Sequence, residues 1–187
     1  MLSYHYINKT MVIKGEDFCK LNLSVIGLGY VGLPLAIKFA SVKNESKDNF
    51  LNQVIGFDIN KSRVSYLEKG IDKNKEVSNL EFEEANNIIF TSNEKYLITA
   101  DIFIITVPTP IDKYKNPNLT PLKESSASVG KALKERKKIV DKCLPIIIYE
   151  STVFPGATEE VCIPIIEEFS GLQGGRDFYF GYSPERI

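Results

Sequence analysis

Histidine is almost missing from this 187-residue chain, with His5 the only one. It lies in the stretch from Met1 to Lys20, which shows no helical or strand period. We read that stretch as a loosely attached N-terminal tail (1–20), within which Met11 is a second candidate start, and His5 as solvated and without a catalytic role. No metal site is expected. Cysteine is also scarce. Cys19, Cys143 and Cys162 are odd in number and widely spaced, which argues against a disulfide framework or a zinc ribbon and fits a reducing cytoplasm. No run approaches the roughly 20 apolar residues of a membrane span, and no signal peptide opens the chain. With a net charge of −1 there is no excess of either sign to attract nucleic acid or an anionic membrane. Repeats and low-complexity tracts are absent as well.

What remains is ordinary globular composition, 43% hydrophobic and 25% charged, enough for one domain with a real core. From Leu21 onward, short β-branched runs alternate with helical patterns. Strands are expected at Leu21–Ile26, Val54–Phe57, Ile88–Phe90, Ile102–Val107, Pro145–Tyr149 and Phe178–Tyr182. The run Ile102–Val107 is apolar without alternation, as a central parallel strand buried on both faces should be. Helices are expected over Val31–Val42, with Pro34 in the first turn, from Asn60 as cap to Gly70, over Leu122–Arg136 and over Ala157–Phe169. Lys43 to Asn52 reads as a polar surface insertion, and Ile71 to Glu84 as a charged stretch with room for a short helix. Such alternation predicts an α/β Rossmann domain over residues 21–187, a doubly wound, parallel, six-stranded sheet in the order 3-2-1-4-5-6.

Between the first strand and first helix stands Gly27-Leu28-Gly29-Tyr30-Val31-Gly32. Gly27 permits the tight turn, Gly29 lets backbone approach a pyrophosphate, and Gly32 lets helix and strand pack closely. The helix N-terminus supplies unpaired N–H groups and about half a positive charge. Three glycines at this spacing are weak evidence alone, since an ordinary strand–helix turn can carry them. A second feature supports the dinucleotide reading. Asp58 follows the second strand, where an acid binds the adenosine ribose hydroxyls; it lies beyond the usual spacing of about 20 residues, and the insertion accounts for the excess. A carboxylate there repels a 2′-phosphate and favours NAD over NADP, with Lys61 and Arg63 close enough to soften the preference. Arg63 is equally well read as stacking on adenine or as a solvated helix residue. FAD-binding and methyltransferase domains share the loop and stay open at this point.

In a doubly wound sheet ligands bind beyond the carboxyl ends of the strands. Three loops follow those ends: Val107-Pro108-Thr109-Pro110, Glu150-Ser151-Thr152-Val153-Phe154-Pro155-Gly156, and Ser183-Pro184-Glu185-Arg186-Ile187. Each taken singly is an unremarkable turn, but together they converge on one edge. With Val25–Pro34, Gly56-Phe57-Asp58 and Tyr182–Arg186, these runs resemble the UDP-glucose/GDP-mannose dehydrogenase family. The resemblance runs from about Leu23 to the last residue. Thr120-Pro121-Leu122 and Val161-Cys162-Ile163-Pro164 are most similar to the UDP-N-acetyl-D-glucosamine/galactosamine 6-dehydrogenase branch of capsular and Vi-type polysaccharide biosynthesis.

The resemblance implies oxidation of a sugar C6 hydroxyl to a carboxylate with two NAD reduced, through a thiohemiacetal and a thioester on a cysteine. It implies that Gly27, Gly29, Tyr30, Val31, Gly32, Asp58, Arg63, Val107, Thr109 and Thr152 contact NAD. Thr152 would also hold a water near the reacting carbon, and Glu185 would act as base in thioester hydrolysis. Glu185, Arg186 and Ile187 would border the substrate, a UDP-N-acetylhexosamine. A homodimer is implied for the full-length enzyme.

The chain departs from the family's pattern in lacking a central helix and C-terminal UDP-binding domain, with its glycine-rich cysteine and essential lysine. Cys19, Cys143 and Cys162 have no glycine-rich approach and read as ordinary thiols. The expectation is therefore a cofactor half that is inactive alone, as a truncated product or a fragment. The last helix would expose apolar surface that packs on the remainder in family members. The other reading is a non-catalytic NAD-binding module that pairs with a full-length dehydrogenase.

Overall fold

The computed structural model describes residues 21–111, 113–114, 117–136 and 143–183. The expectations for the tail, His5 and Cys19, and for Pro184, Glu185, Arg186 and Ile187, fall outside the described residues.

Six strands form one parallel sheet: β1 (Asn22–Ile26), β2 (Gln53–Phe57), β3 (Ile88–Thr91), β4 (Ile102–Ile105), β5 (Ile146–Tyr149) and β6 (Tyr179–Tyr182). Their order is β3-β2-β1-β4-β5-β6, as the alternation predicts. The register sets Ile26 level with Phe57 on one side and Ile105 on the other. Neighbouring strands therefore end together, and the loops that follow them open along a single edge.

Side chains alternate across the sheet. Leu23, Val25, Val54 and Ile104 point to one face and meet Leu33, Ala36, Ile37 and Ala40 of α1 (Gly32–Ser41). Ile26, Ile55, Phe103, Ile105 and Ile147 point to the other. There they are covered by Leu122, Val129 and Leu133 of α4 (Thr120–Arg136) and by Ile166 of α5 (Ile163–Ser170). The shorter helices α2 (Lys61–Leu67) and α3 (Asn79–Glu84) flank β3 and α1. Asn60 caps α2 as expected, its side chain accepting the Arg63 N–H, and Ser78 with Glu81 forms a capping box on α3.

Several expectations need correction. The insertion is only partly superficial, because Lys43 and Asn49 bridge antiparallel and Leu51 is buried. A 3-10 helix, Glu94–Thr99, was not foreseen. β4 stops at Ile105, two residues early; Thr106 still donates its N–H to Ile26, and its hydroxyl bonds the glycine loop. The helix expected over Ala157–Phe169 opens instead as a π turn, Thr158–Cys162. Pro164 has no N–H for the Glu160 carbonyl and its ring needs room there, so the Ile163 N–H reaches back to Thr158. The apolar surface expected on the last helix is present but narrow: Phe169 of α5 is exposed, while Ile163 and Ile166 are buried.

At the opposite edge of the sheet, Asp101 and Arg136 form a buried ion pair. Asp101 also accepts the Asn22 N–H at 2.9 Å, tying the start of β1 to the end of α4.

Candidate functional site

The strand ends enclose a crevice of about 860 Å³, bordered by the glycine loop, the loops after β2, β4 and β5, and one side of α4. Each glycine in the loop has its own physical reason. Gly27 has φ +95°, in the left-handed region. A Cβ on Gly32 would stand 1.8 Å from the Gly27 carbonyl oxygen and 2.3 Å from Thr106 Oγ1, so helix and loop touch backbone to backbone. Around the Cβ direction of Gly29, its chain neighbours aside, no atom of the described residues lies within 4 Å, and the loop borders the crevice there. No side chain caps α1; Leu33 and Leu35 donate back to Gly29 and Val31, while among the described residues the N–H groups of Gly29, Tyr30 and Val31 meet no protein acceptor. Open space above Gly29 and unpaired N–H groups beside it suit a pyrophosphate.

The residues after β2 hold this loop from below. Asp58 accepts the Leu28 N–H at 2.8 Å through Oδ2 and the Asn60 N–H at 2.8 Å through Oδ1. Its carboxylate keeps further lone pairs for a ribose diol. Arg63 is neither a solvated residue nor a free stacking group. Its Nε donates to the Leu28 carbonyl, its Nη1 stands 3.2 Å from Asp72, and its Nη2 is buried with no partner among the described residues. That orphaned donor beside the crevice fits a ligand rich in acceptors.

On the other half of the crevice the loops after β4 and β5 are stitched together. Thr109 Oγ1 donates to the Thr152 carbonyl at 2.6 Å, and Ser151 Oγ donates to the Val107 carbonyl at 2.6 Å. Thr106 Oγ1 donates to the Gly27 carbonyl at 2.6 Å, joining this half to the first. Thus Gly27, Gly29, Tyr30, Val31, Asp58, Arg63, Val107, Thr109 and Thr152 all border one crevice, with Tyr30 62% exposed at its lip. Gly32 packs beneath it. Glu185, Arg186 and Ile187 lie outside the described residues.

Sequence reasoning missed Thr106, Ser151 and Asp72, and also Glu94, which accepts a 2.6 Å hydrogen bond from Ser128 at the crevice wall. None carries a periodic or spacing signal, though the position of Ser151 in a strand-end loop could have marked it.

The thiols stand elsewhere. Cys162 is buried under α4, where Ser126 Oγ and the Tyr149 hydroxyl lie 2.7 Å apart, and burial pushes its thiol up, away from the nucleophilic form. Cys143 precedes β5, at the sheet edge away from the crevice. No group of three or more His, Cys, Asp or Glu side chains able to hold a metal occurs among the described residues, nor is any helix there long and apolar enough to cross a membrane.

Residues 21–187 match the family model described as UDP-glucose/GDP-mannose dehydrogenase family, NAD binding domain. The chain is 50% identical over 167 residues to a UDP-N-acetyl-D-glucosamine 6-dehydrogenase of Pseudomonas aeruginosa, covering 89% of this chain and 36% of that one. It is 47% identical to Protein CapL of Staphylococcus aureus, covering 89% and 35%. Among solved structures, a ternary complex of GDP-mannose dehydrogenase from Pseudomonas aeruginosa aligns with TM-score 0.73 at 26% identity, over 88% of this chain and 36% of that one. The chain thus spans about a third of the length of the relatives it matches. With glycine loop, acid and strand-end loops gathered on one crevice, the chain belongs to the UDP-glucose/GDP-mannose dehydrogenase family, as its NAD-binding domain.

Proposed function

We propose that this chain supplies the NAD-binding half of a UDP-N-acetylhexosamine 6-dehydrogenase that serves polysaccharide precursor synthesis. The observation that carries the cofactor side is the empty space over Gly29, with unpaired N–H groups beside it and the Asp58 carboxylate within the same crevice. Identity of 50% and 45% to two UDP-N-acetyl-D-glucosamine 6-dehydrogenases, from Pseudomonas aeruginosa and Salmonella typhi, supports the choice of sugar class.

When bound, NAD accepts hydride; the protein's part is to bind and orient it. The amides of Gly29, Tyr30 and Val31 face the pyrophosphate, Asp58 the ribose diol, and the Arg63 Nη2 edge the adenosine end. Thr109 and Thr152, already bonded to each other, border the nicotinamide end. There the Thr152 hydroxyl is suited to hold a water, and the family resemblance would assign Glu185, Arg186 and Ile187 to the sugar nucleotide. A homodimer of the full-length enzyme and a cytoplasmic location complete the reading.

On this reading the 187-residue chain binds NAD without itself oxidising a nucleotide sugar, and the position of both described thiols away from the crevice supports that division. The test is a titration with NADH followed by fluorescence, then incubation with NAD and UDP-N-acetylglucosamine. Saturable NADH binding without NADH production is expected. Absence of binding defeats the cofactor assignment, and steady NADH production defeats the division of labour.

A further inference from the structure

The charged stretch between α2 and α3 contains a side chain that is charged but not superficial. The side chain of Asp72 is 0% exposed, while the residue as a whole is half-buried. Its Oδ2 accepts the N–H groups of Glu76 at 2.7 Å and Val77 at 3.2 Å, and its Oδ1 accepts that of Asn74 at 3.0 Å. The same Oδ1 faces Arg63 Nη1 at 3.2 Å. Burial opposes ionisation, but the three backbone donors and then the guanidinium outweigh it and hold the carboxyl below its usual range.

Arg63 continues the chain of contacts. Its Nε donates to the Leu28 carbonyl, while the Leu28 N–H is held by Asp58, so the two peptide groups flanking Leu28 are gripped one from each side. A free arginine samples many rotamers, and a carboxylate fixed by three backbone bonds removes that freedom before a ligand arrives. Closing the turn from Asp72 to Val77 needs only an acceptor, which an amide or hydroxyl oxygen also provides. Fixing a guanidinium needs the charge.

We infer that Asp72 is a positioning residue for the cofactor. It sets Arg63 so that the guanidinium fastens the Leu28 peptide and leaves Nη2 for the dinucleotide. The inference rests on the NAD reading of the crevice and adds to it a residue that does not border the crevice.

The test is a double-mutant cycle on the 187-residue chain with Asp72→Asn, Arg63→Gln and the pair, reading the NADH dissociation constant. Each single change is expected to weaken NADH about five- to tenfold, and the pair no more than Arg63→Gln alone, because Asp72 acts through Arg63. Multiplying effects, or an Asp72→Asn affinity within about twofold of the unmodified chain, overturn the inference. If the unmodified chain does not bind NADH, the cofactor reading fails, and amide hydrogen exchange at Leu28, whose N–H is held by Asp58, then decides this proposal. Faster exchange in both single variants, with no further gain in the pair, supports it; unchanged exchange overturns it. Asp72→Ser, whose hydroxyl still accepts the turn amides, replaces Asp72→Asn if that variant does not fold. Failure of both to fold while Arg63→Gln folds assigns Asp72 to the turn alone and overturns the positioning role.

Discussion

Asp58 accepts the Leu28 N–H at 2.8 Å, so the acid after β2 is built into the glycine loop after β1. On the proposed NAD reading, fastening the loop and facing the ribose would be two tasks of one carboxylate. Asp58→Ala removes both and is expected to weaken NADH binding tenfold or more, consistent with about 1.5–3 kcal/mol for hydrogen bonds to a charged group. Lys61→Ala should stay within about twofold, since surface charges contribute little. Calorimetry on both variants checks the contrast, and equal affinity of the unmodified chain for NADP would defeat the Asp58 argument.

Gly29 and Gly32 share a loop but should fail differently. A methyl group at Gly32 meets backbone at 1.8 Å, so Gly32→Ala is expected to cost about 3 kcal/mol or more, or to prevent folding. Gly29→Ala enters open space and should leave thermal unfolding nearly unchanged, yet its methyl occupies the pyrophosphate approach and should reduce NADH affinity sharply. Melting curves and binding titrations together separate the two, and a destabilised Gly29→Ala with normal binding would reverse the assignment.

The Asp101–Arg136 pair lies at the edge away from the crevice. Replacing either partner leaves a buried charge uncompensated, so Asp101→Asn is expected to cost about 3–5 kcal/mol of stability. NADH affinity, measured well below the melting temperature, should not change.

Asp72 predicts an acid limit to stability. Its carboxyl titrates below the usual range when folded, so its contribution is complete above the ordinary aspartate value of about 4 and is lost as pH falls through the lowered one. Asp72→Asn should flatten the fall in denaturation midpoint over that interval, and a pH profile parallel to that of the unmodified chain would contradict it.

Cys162 and Tyr149 set the alkaline limit. Burial raises both, so their stabilisation is complete below the free values, about 8.5 for the thiol and about 10 for the phenol, and is lost as pH climbs from each of these through the raised one. Iodoacetamide at pH 8 should leave Cys162 unmodified in the folded chain and label it on unfolding, as read by mass spectrometry. Rapid labelling of the native chain would mean that Cys162 is accessible.

Much of this molecule was legible in one dimension. The glycine spacing, the acid after β2 and the alternation of β-branched runs with helical patterns are local signals, and they led to the parallel sheet, its strand order and the crevice. Pro164 was visible too, but its consequence, a π turn upstream, depends on where the Thr158 and Glu160 carbonyls already point. Asp72 and Thr106 carried no comparable signal, and Ser151 only its place in a strand-end loop.

For this protein, then, sequence alone determined the architecture and the family, because periodicity and short motifs encode backbone geometry residue by residue. Only the tertiary structure decided that Asp58 and Arg63 grip the same residue, Leu28, that Asp72 stands behind Arg63, and that neither described thiol borders the crevice. Those relationships join residues 9 to 35 positions apart through side chains whose partners depend on how the loops fold back, and no pattern along the chain encodes such a meeting.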